Sequence, residues 1–574
     1  MNNFLRTRKV KWIASLSLVM VMMLGLYSFN DDKRNFDIVK NLDIFYTLFR
    51  ELNSYYVDET NPEKLISTGI NNMLESLDPY TTYIPESDME DFRFMTTGEY
   101  AGIGSLISKR DEHVVIAEPY EGFPAALAGL KAGDKILSID GKDMVGKSTP
   151  EVSDNLKGPA NTPLKIKVER PGEKKPINIE LERKKIQINP VPYYGMINDE
   201  TGIIQLNNFT QDCSREIEKA FLDLRDKQGA KSIVLDLRAN PGGLLDEAVK
   251  IVNLFVPSGS EVVSTRGKVK QWDKTYKAMR QPIDTVIPMA VLISRGSASA
   301  SEIVSGALQD LDRAVVLGQR SFGKGLVQTT RNLSYNAKLK VTTAKYYIPS
   351  GRCIQALDYT HRDEDGAVGL VADSLISEYK TKNGRSVFDG GGISPDIKVE
   401  SHKYANVTFA LVVQQMIFDF ATEFVIKNKT IAPAESFAIN DDVYHEFIEF
   451  VKAKEGFRYE SLSQEKLKDL VKTAKREGYY EKAEDDFTAM EEILKLDVEK
   501  DMHQFEDEIK ELMVLEITKR YYYQKGSIIA SLQKDIELEE AKKLLKEMSQ
   551  YNGLLDGTVV SHAGDRRAAI KKAS

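Results

Sequence analysis

The sequence predicts a multidomain chain of α/β and α+β class. An α/β core with a mixed sheet follows a small β-rich module, and helical N- and C-terminal regions flank both. Three observations predict it. At 574 residues the chain exceeds what one hydrophobic core supports, so three or four domains are expected. Between about 97 and 186, glycines punctuate short β-rich runs, "YAGIGSLIS", "HVVIAEP", "DKILSIDG" and "LKIKVER". From about 196 to 400, strand-length apolar runs alternate with helical ones: "TGIIQL", "REIEKAFLDLRDKQ", "SIVLDLR", "LDEAVKIVNLFV", "MAVLIS". Such alternation implies a parallel or mixed sheet covered by helices.

The amino terminus carries an address. Arg6, Arg8, Lys9 and Lys11 precede an uncharged apolar run over 12–29, and charge returns at Asp31. A basic leader before such a run means export. No A-x-A cleavage site follows it, so residues 1–30 are expected to be a signal peptide or, preferably, an uncleaved membrane anchor. The positive-inside rule then places the bulk of the chain in the periplasm or on the outer face of a bacterial inner membrane. Residues 36–96 open with amphipathic helices. Leu42, Phe45, Leu48, Phe49 and Leu52 share one face, and Asn61-Pro62 starts a second helix. Two such helices cannot bury their apolar faces alone, so a second subunit or an adaptor is the expected partner. Residues 401–560 are charged and helical and read as a wrap around the core. The tail, 561–574, is expected to be disordered.

Composition excludes several classes. A net charge of −8 gives no argument for nucleic-acid binding. Cys213 and Cys353 stand in unrelated contexts and the six histidines never fall at ligand spacing, so neither a disulfide framework, a metal site nor a cofactor is expected.

Three segments carry candidate chemistry. In "VLISRGSASASEIVSGALQD" a buried strand turns sharply into a helix, and Ser299-x-x-Glu302 has the form of a capping box. In "SIVLDLRANPGGLLDEAV" Gly242 and Gly243 free their amides at a strand-to-helix turn, where helix N-termini stabilise negative charge. In "GQRSFGKGLVQ" Lys324 sits between two glycines, and Gln328 shares its face if the segment is extended. Taken singly, each has a plainer reading: a capping serine, a glycine-rich loop, a solvated lysine. A Ser-His-Asp arrangement is hard to build, because no histidine lies between His113 and His361 and no G-x-S-x-G surrounds Ser299. A lysine made neutral by desolvation could serve Ser299 as base, with Gln328 orienting its amine.

Over residues 97–186 the chain resembles a PDZ domain, carried by "YAGIGSLI" and "AALAGLKAGDKILSIDG". The amides around Gly102, Ile103 and Gly104 form a nest suited to a carboxylate, and the resemblance implies that a peptide tail adds there as a strand. From about 36 to 400 the chain resembles the carboxyl-terminal processing peptidases, or tail-specific proteases, through "LDLRANPGG", "SASASEIVSGALQD", "GQRSFGKGLVQ", "TTAKYYIPSGRCIQ" and "GGISPDI". That resemblance implies Ser299 as nucleophile, Lys324 as general base and Gln328 as its orienting partner. It also implies an oxyanion hole from the amide of Ala300 and one of Gly242 or Gly243, with Gly242 preferred, and Arg170 near the tail site. The implied substrates are proteins or peptides with free apolar tails. A catalytically silent PDZ scaffold is the alternative, and the intact Ser299, Lys324 and Gln328 argue against it.

Overall fold

The computed structural model describes residues 33–362, 366–400, 402–459 and 461–564. The leader over 1–30 and the tail from 565 onward lie outside these residues. Two units divide at Tyr83 and Ile84. In the first, helix α1 (33–55) is followed by α2 (Pro62–Glu75). Asn61 caps α2 by accepting the Lys64 amide at 3.0 Å, and Pro62 occupies the first turn, where its missing N–H costs nothing. Leu42, Phe45 and Leu48 on α1 are exposed.

The second unit begins with helix α3 (Met89–Thr97) and strand β1 (Glu99–Gly102). An antiparallel sheet follows in the order β2 (Ser105–Arg110), β3 (His113–Pro119), β4 (Lys135–Ile139), β5 (Pro163–Glu169), β6 (Ile177–Glu182). Alternate residues of β5, Leu164, Ile166 and Val168, point into a core shared with Val114, Ile116 and Ile136.

The larger core is built on a six-stranded mixed sheet. Its order is β7 (Tyr193–Met196), β8 (Thr201–Gln205), β9 (Ser232–Asp236), β10 (Met289–Ile293), β11 (Val315–Gly318) and finally Ile397–Lys398. The first pair is antiparallel and the rest parallel. Strands β9 and β10 are buried throughout, so both faces need cover. Leu235, Val291 and Ile293 pack under α4 (Cys213–Leu222), α5 (Leu245–Phe255) and α6 (Ala300–Asp310). A long antiparallel hairpin, β12 (Leu326–Asn332) and β13 (Lys338–Tyr347), rises beside this layer.

The opposite face is covered from far along the chain. Val234, Ala290, Leu292 and Leu317 pack on Leu538, Leu544, Tyr551 and Leu554 of α8 (Ile536–Lys546) and α9 (Met548–Asp556), which follow the long helix α7 (Glu506–Ser531). Residues 536–556, expected as part of a wrap, are therefore the second layer of the core itself. Residues 561–564, read from sequence as part of the disordered tail, are also held. The Ser561 hydroxyl and the His562 amide both bond buried Asp396, at 2.9 Å each. The remaining C-terminal helices form a core of their own around Phe420, Phe447 and Ile509. They meet the β2–β6 sheet through an Arg110–Asp419 ion pair and through Arg520, which stacks on Phe418 and donates to the Ala117 carbonyl.

Arg238 locks α8 to the sheet. Its guanidinium pairs with buried Asp236 at 2.7 Å, Asp535 at 2.6 Å and Glu537 at 2.8 Å. Removing it leaves three carboxylates crowded and uncompensated. Arg238→Met is expected to cost about 2–4 kcal/mol, read by urea unfolding, and to raise amide exchange across 536–556 before the rest of the sheet. Uniform exchange would mean that the cluster does not hold the helix.

Candidate active site

Strand β10 ends at Ile293, and the chain turns within six residues into α6. Ser299, just before the helix, has φ 56° and ψ −111°, a conformation that a residue with a side chain adopts only when its surroundings impose it. Those surroundings are the turn after β9. The Ala298 amide donates to the Asn240 carbonyl at 3.0 Å, and the Ser301 hydroxyl donates to the same oxygen at 2.9 Å. Ser297 donates to the Leu237 carbonyl at 2.8 Å. Gly242, at φ 99°, lies against this turn so closely that a Cβ there would stand 2.6 Å from the Ala298 oxygen and 2.9 Å from the Ala300 nitrogen. Only glycine fits.

The same contacts correct one expectation. The Gly242 amide is committed to Oδ1 of Asn240 at 2.9 Å, which makes it a poor oxyanion donor. Gly243 and Ala300 line the cleft, and among the described residues no hydrogen bond from either amide to a protein acceptor is found.

The lysine-bearing loop is joined to the serine turn through one carboxylate. Glu302, fully buried, accepts from the Ser299 amide at 2.8 Å, as a capping box requires. It also accepts from the amides of Gly323 at 2.7 Å and Lys324 at 2.9 Å, and from the Ser321 hydroxyl. Tyr346 adds a second tie: its hydroxyl stands 2.6 Å from the Lys324 carbonyl and 3.2 Å from that of Ser299. Gln328, early in β12, donates to Thr342 across the hairpin at 3.2 Å. Lys324 itself precedes the strand, and the ladder shifts register at Val327 and Gln328, so the shared face comes from loop and bulge together. The outcome is one cleft of about 710 Å³ whose walls include Gly242, Gly243, Ser299, Ala300, Lys324 and Gln328.

A carboxy-terminal-processing protease of Bartonella bacilliformis is 38% identical over 348 residues, which cover 60% of this chain and 79% of that one. The chain belongs to the carboxy-terminal-processing proteases. It is a serine-type peptidase carrying a PDZ domain. Residues 200–363 of the protease match the model for peptidase family S41, residues 115–170 that for a PDZ domain, and residues 407–545 that for a probable PDZ-protease C-terminal helical domain. A probable CtpA-like serine protease of Staphylococcus aureus is 34% identical over 370 residues, 64% of this chain and 66% of that one. Among solved structures, a photosystem II D1 C-terminal processing protease is 28% identical, with a TM-score of 0.34 over 62% of this chain and 92% of that one.

Gly102, Ile103, Gly104 and Arg170 of the protease lie apart from the cleft. Gly102 ends β1, and Ile103 and Gly104 form the connection to β2. Arg170 follows β5, where it makes two 2.7 Å bonds to buried Asp134 and a third to the Gly129 carbonyl. In this arrangement the arginine is tied to its own domain. Sequence reasoning missed Asn240, Tyr346 and the reach of Glu302. Only Glu302 left a signal, the capping box, and that pattern says nothing of a second loop.

Burial raises the Glu302 pKa from the ordinary 4.5 to about 7, while its four donors pull it the other way. An acid raised in the folded state stabilises fully below about pH 4.5 and loses that contribution as pH climbs through about 7. Thermal melts from pH 4.5 to 7 should therefore show a downward slope that Glu302→Gln flattens. The same variant should lower kcat at pH 8 by about tenfold or more, since an amide cannot accept from all four donors. An unchanged kcat would separate Glu302 from the geometry of the site.

Proposed function

We propose that this protein is an exported endopeptidase that takes protein chains by their free carboxyl-terminal tails and cuts them with Ser299 and Lys324. The observation that carries this reading is the cleft itself. It gathers Ser299, Lys324 and Gln328 with the two amides, and among the described residues no histidine lines it. Lys324, as a neutral amine, takes the Ser299 proton while Oγ bonds the scissile carbonyl carbon. The carbonyl π electrons move onto oxygen, and the Ala300 and Gly243 amides donate hydrogen bonds to the oxyanion that results. Lys324 then passes its proton to the departing amide nitrogen as the C–N bond breaks. Water then bonds the acyl carbon as the same amine takes its proton, and that proton passes to Oγ as the ester bond to Ser299 breaks. Gln328 keeps the amine pointed at the serine. The basic leader and the apolar run at 12–29 support action outside the cytoplasm from a membrane anchor.

Tail capture falls to the amides around Gly104. The Tyr100 hydroxyl lies against the Gly104 and Ser105 amides. Its ring is so close to Gly102 that a Cβ there would stand 2.7 Å away, and it meets Phe94 of α3 edge-on at 5.2 Å. Phe92, Phe94 and Met95 of α3 line the cleft. A tail carboxylate arriving at those amides competes with Tyr100 and disturbs its contact with α3, which gives tail binding a physical route to the catalytic groups.

The full chain, mixed with an unstructured protein ending in free apolar residues, should yield fragments by mass spectrometry. Ser299→Ala and Lys324→Ala should yield none. Cutting by Lys324→Ala would move the base elsewhere, and binding without cutting by all three would favour a scaffold. Tyr100→Phe removes the competing hydroxyl and should tighten binding of a labelled apolar-tailed peptide several-fold, by roughly the worth of one hydrogen bond. Unchanged or weaker binding would refute that placement of the tail.

A further inference from the structure

Among the described residues, Lys324 and Lys340 are the two lining the cleft that carry formal charge, and none of the described carboxylates lines it. The first is the proposed base and works as a neutral amine. The second has no part in that mechanism. Lys340 lies on β13 opposite Thr330, two residues along the ladder from the pair Gln328 and Thr342. At about 3.4 Å per residue its backbone is about 7 Å beyond that pair. Gln328 and Thr330 on one strand, and Thr342 and Lys340 on the other, all fall on the same side of the hairpin.

The Lys340 side chain is partly buried, and among the described residues no salt bridge or hydrogen bond of its ammonium is found. Burial lowers its pKa, so the group bears a desolvation cost that nothing in the cleft offsets. Most other lysines of intermediate exposure on this unit, such as Lys157, Lys510 and Lys519, face a carboxylate. An ammonium held without a counter-ion in a cleft otherwise lined by neutral groups calls for an anion from outside the chain.

We propose that Lys340 is a specificity-determining residue that receives a carboxylate of the bound peptide. The carboxylate sits within two or three residues of the scissile bond, the distance that the hairpin register sets. This rests on peptide cleavage at Ser299 in the same cleft. The carboxylate has two sources, an Asp or Glu side chain or the free carboxyl end of a short remaining tail, and both present the same group to the ammonium.

The test uses the full chain carrying Ser299→Ala, so that binding is read without turnover. The probes are fluorescent peptides of one alanine-rich apolar sequence, with Glu or Gln placed at each successive position and with the last residue as free acid or amide. One position, or the free end, should bind roughly ten- to hundredfold better as acid than as amide. Lys340→Met should erase that ratio, Lys340→Arg should retain most of it, and Lys340→Glu should invert it in favour of the Gln and amide peptides. A side-chain carboxylate shows as a position effect in both end-group series, whereas the free carboxyl end shows only between acid and amide. If Lys340→Met weakens all peptides equally, or changes none, the proposal is overturned and the lysine is structural. Cleavage assays on the chain with Ser299 intact report separately. Preserved acid selectivity with no cutting would sink the Ser299 mechanism and leave the subsite standing.

Discussion

Glu302 is the joint on which the active site turns. A serine and a lysine on separate loops gain nothing unless the loops keep a fixed separation, and here one buried carboxylate receives an amide from the serine side and two amides from the lysine side. Burying such a group is expensive, and an acid in an apolar pocket would ordinarily discharge. Four donors make the ionised form tolerable. A cooperative arrangement of this kind tolerates little change, because a lost donor leaves charge and cavity behind together. The strain at Ser299 and the crowding at Gly242 are consequences of the same closure, since the turns are drawn together more tightly than ordinary side chains allow.

Around that joint the fold supplies rigidity in layers. The parallel strands deliver the serine turn and the glycine turn at their carboxyl ends, where the crevice of an open α/β sheet normally lies. The β12–β13 hairpin forms a wall of the cleft and carries Gln328. Asn240 links the two turns, and Tyr346 links the serine turn to the lysine loop. The chemistry therefore sits on elements whose own positions are settled by packing, and the loops between them are short and well bonded.

Much of this was legible in the sequence. Apolar runs such as Ile233-Val234-Leu235 and Met289–Ile293 announce strands buried on both faces, and the alternation with helices announces a parallel arrangement. Long motifs singled out Ser299, Lys324 and Gln328 as candidates, and the fold brings the three to one cleft. Two kinds of feature were not. The first is any contact between distant segments: a pattern reading cannot see that residues 536–556 cover the sheet, although strands apolar on both faces demanded a second layer from somewhere. The second is the competition among donors. Gly242 and Gly243 are equivalent as letters, and only the Asn240 side chain, which captures one amide, distinguishes them. Arg170 is similar, since its bonds to Asp134 and Gly129 depend on how strands and turns meet in space.

The late position of the second layer bears on timing. Synthesis runs from the amino terminus, and domains fold in that order as they emerge. When Lys324 and Gln328 have left the ribosome, the sheet still has one greasy face bare and Arg238 still lacks two of its acids. Only after residue 556 has followed can that face close. The last step in assembling the protease is thus written at the far end of its message.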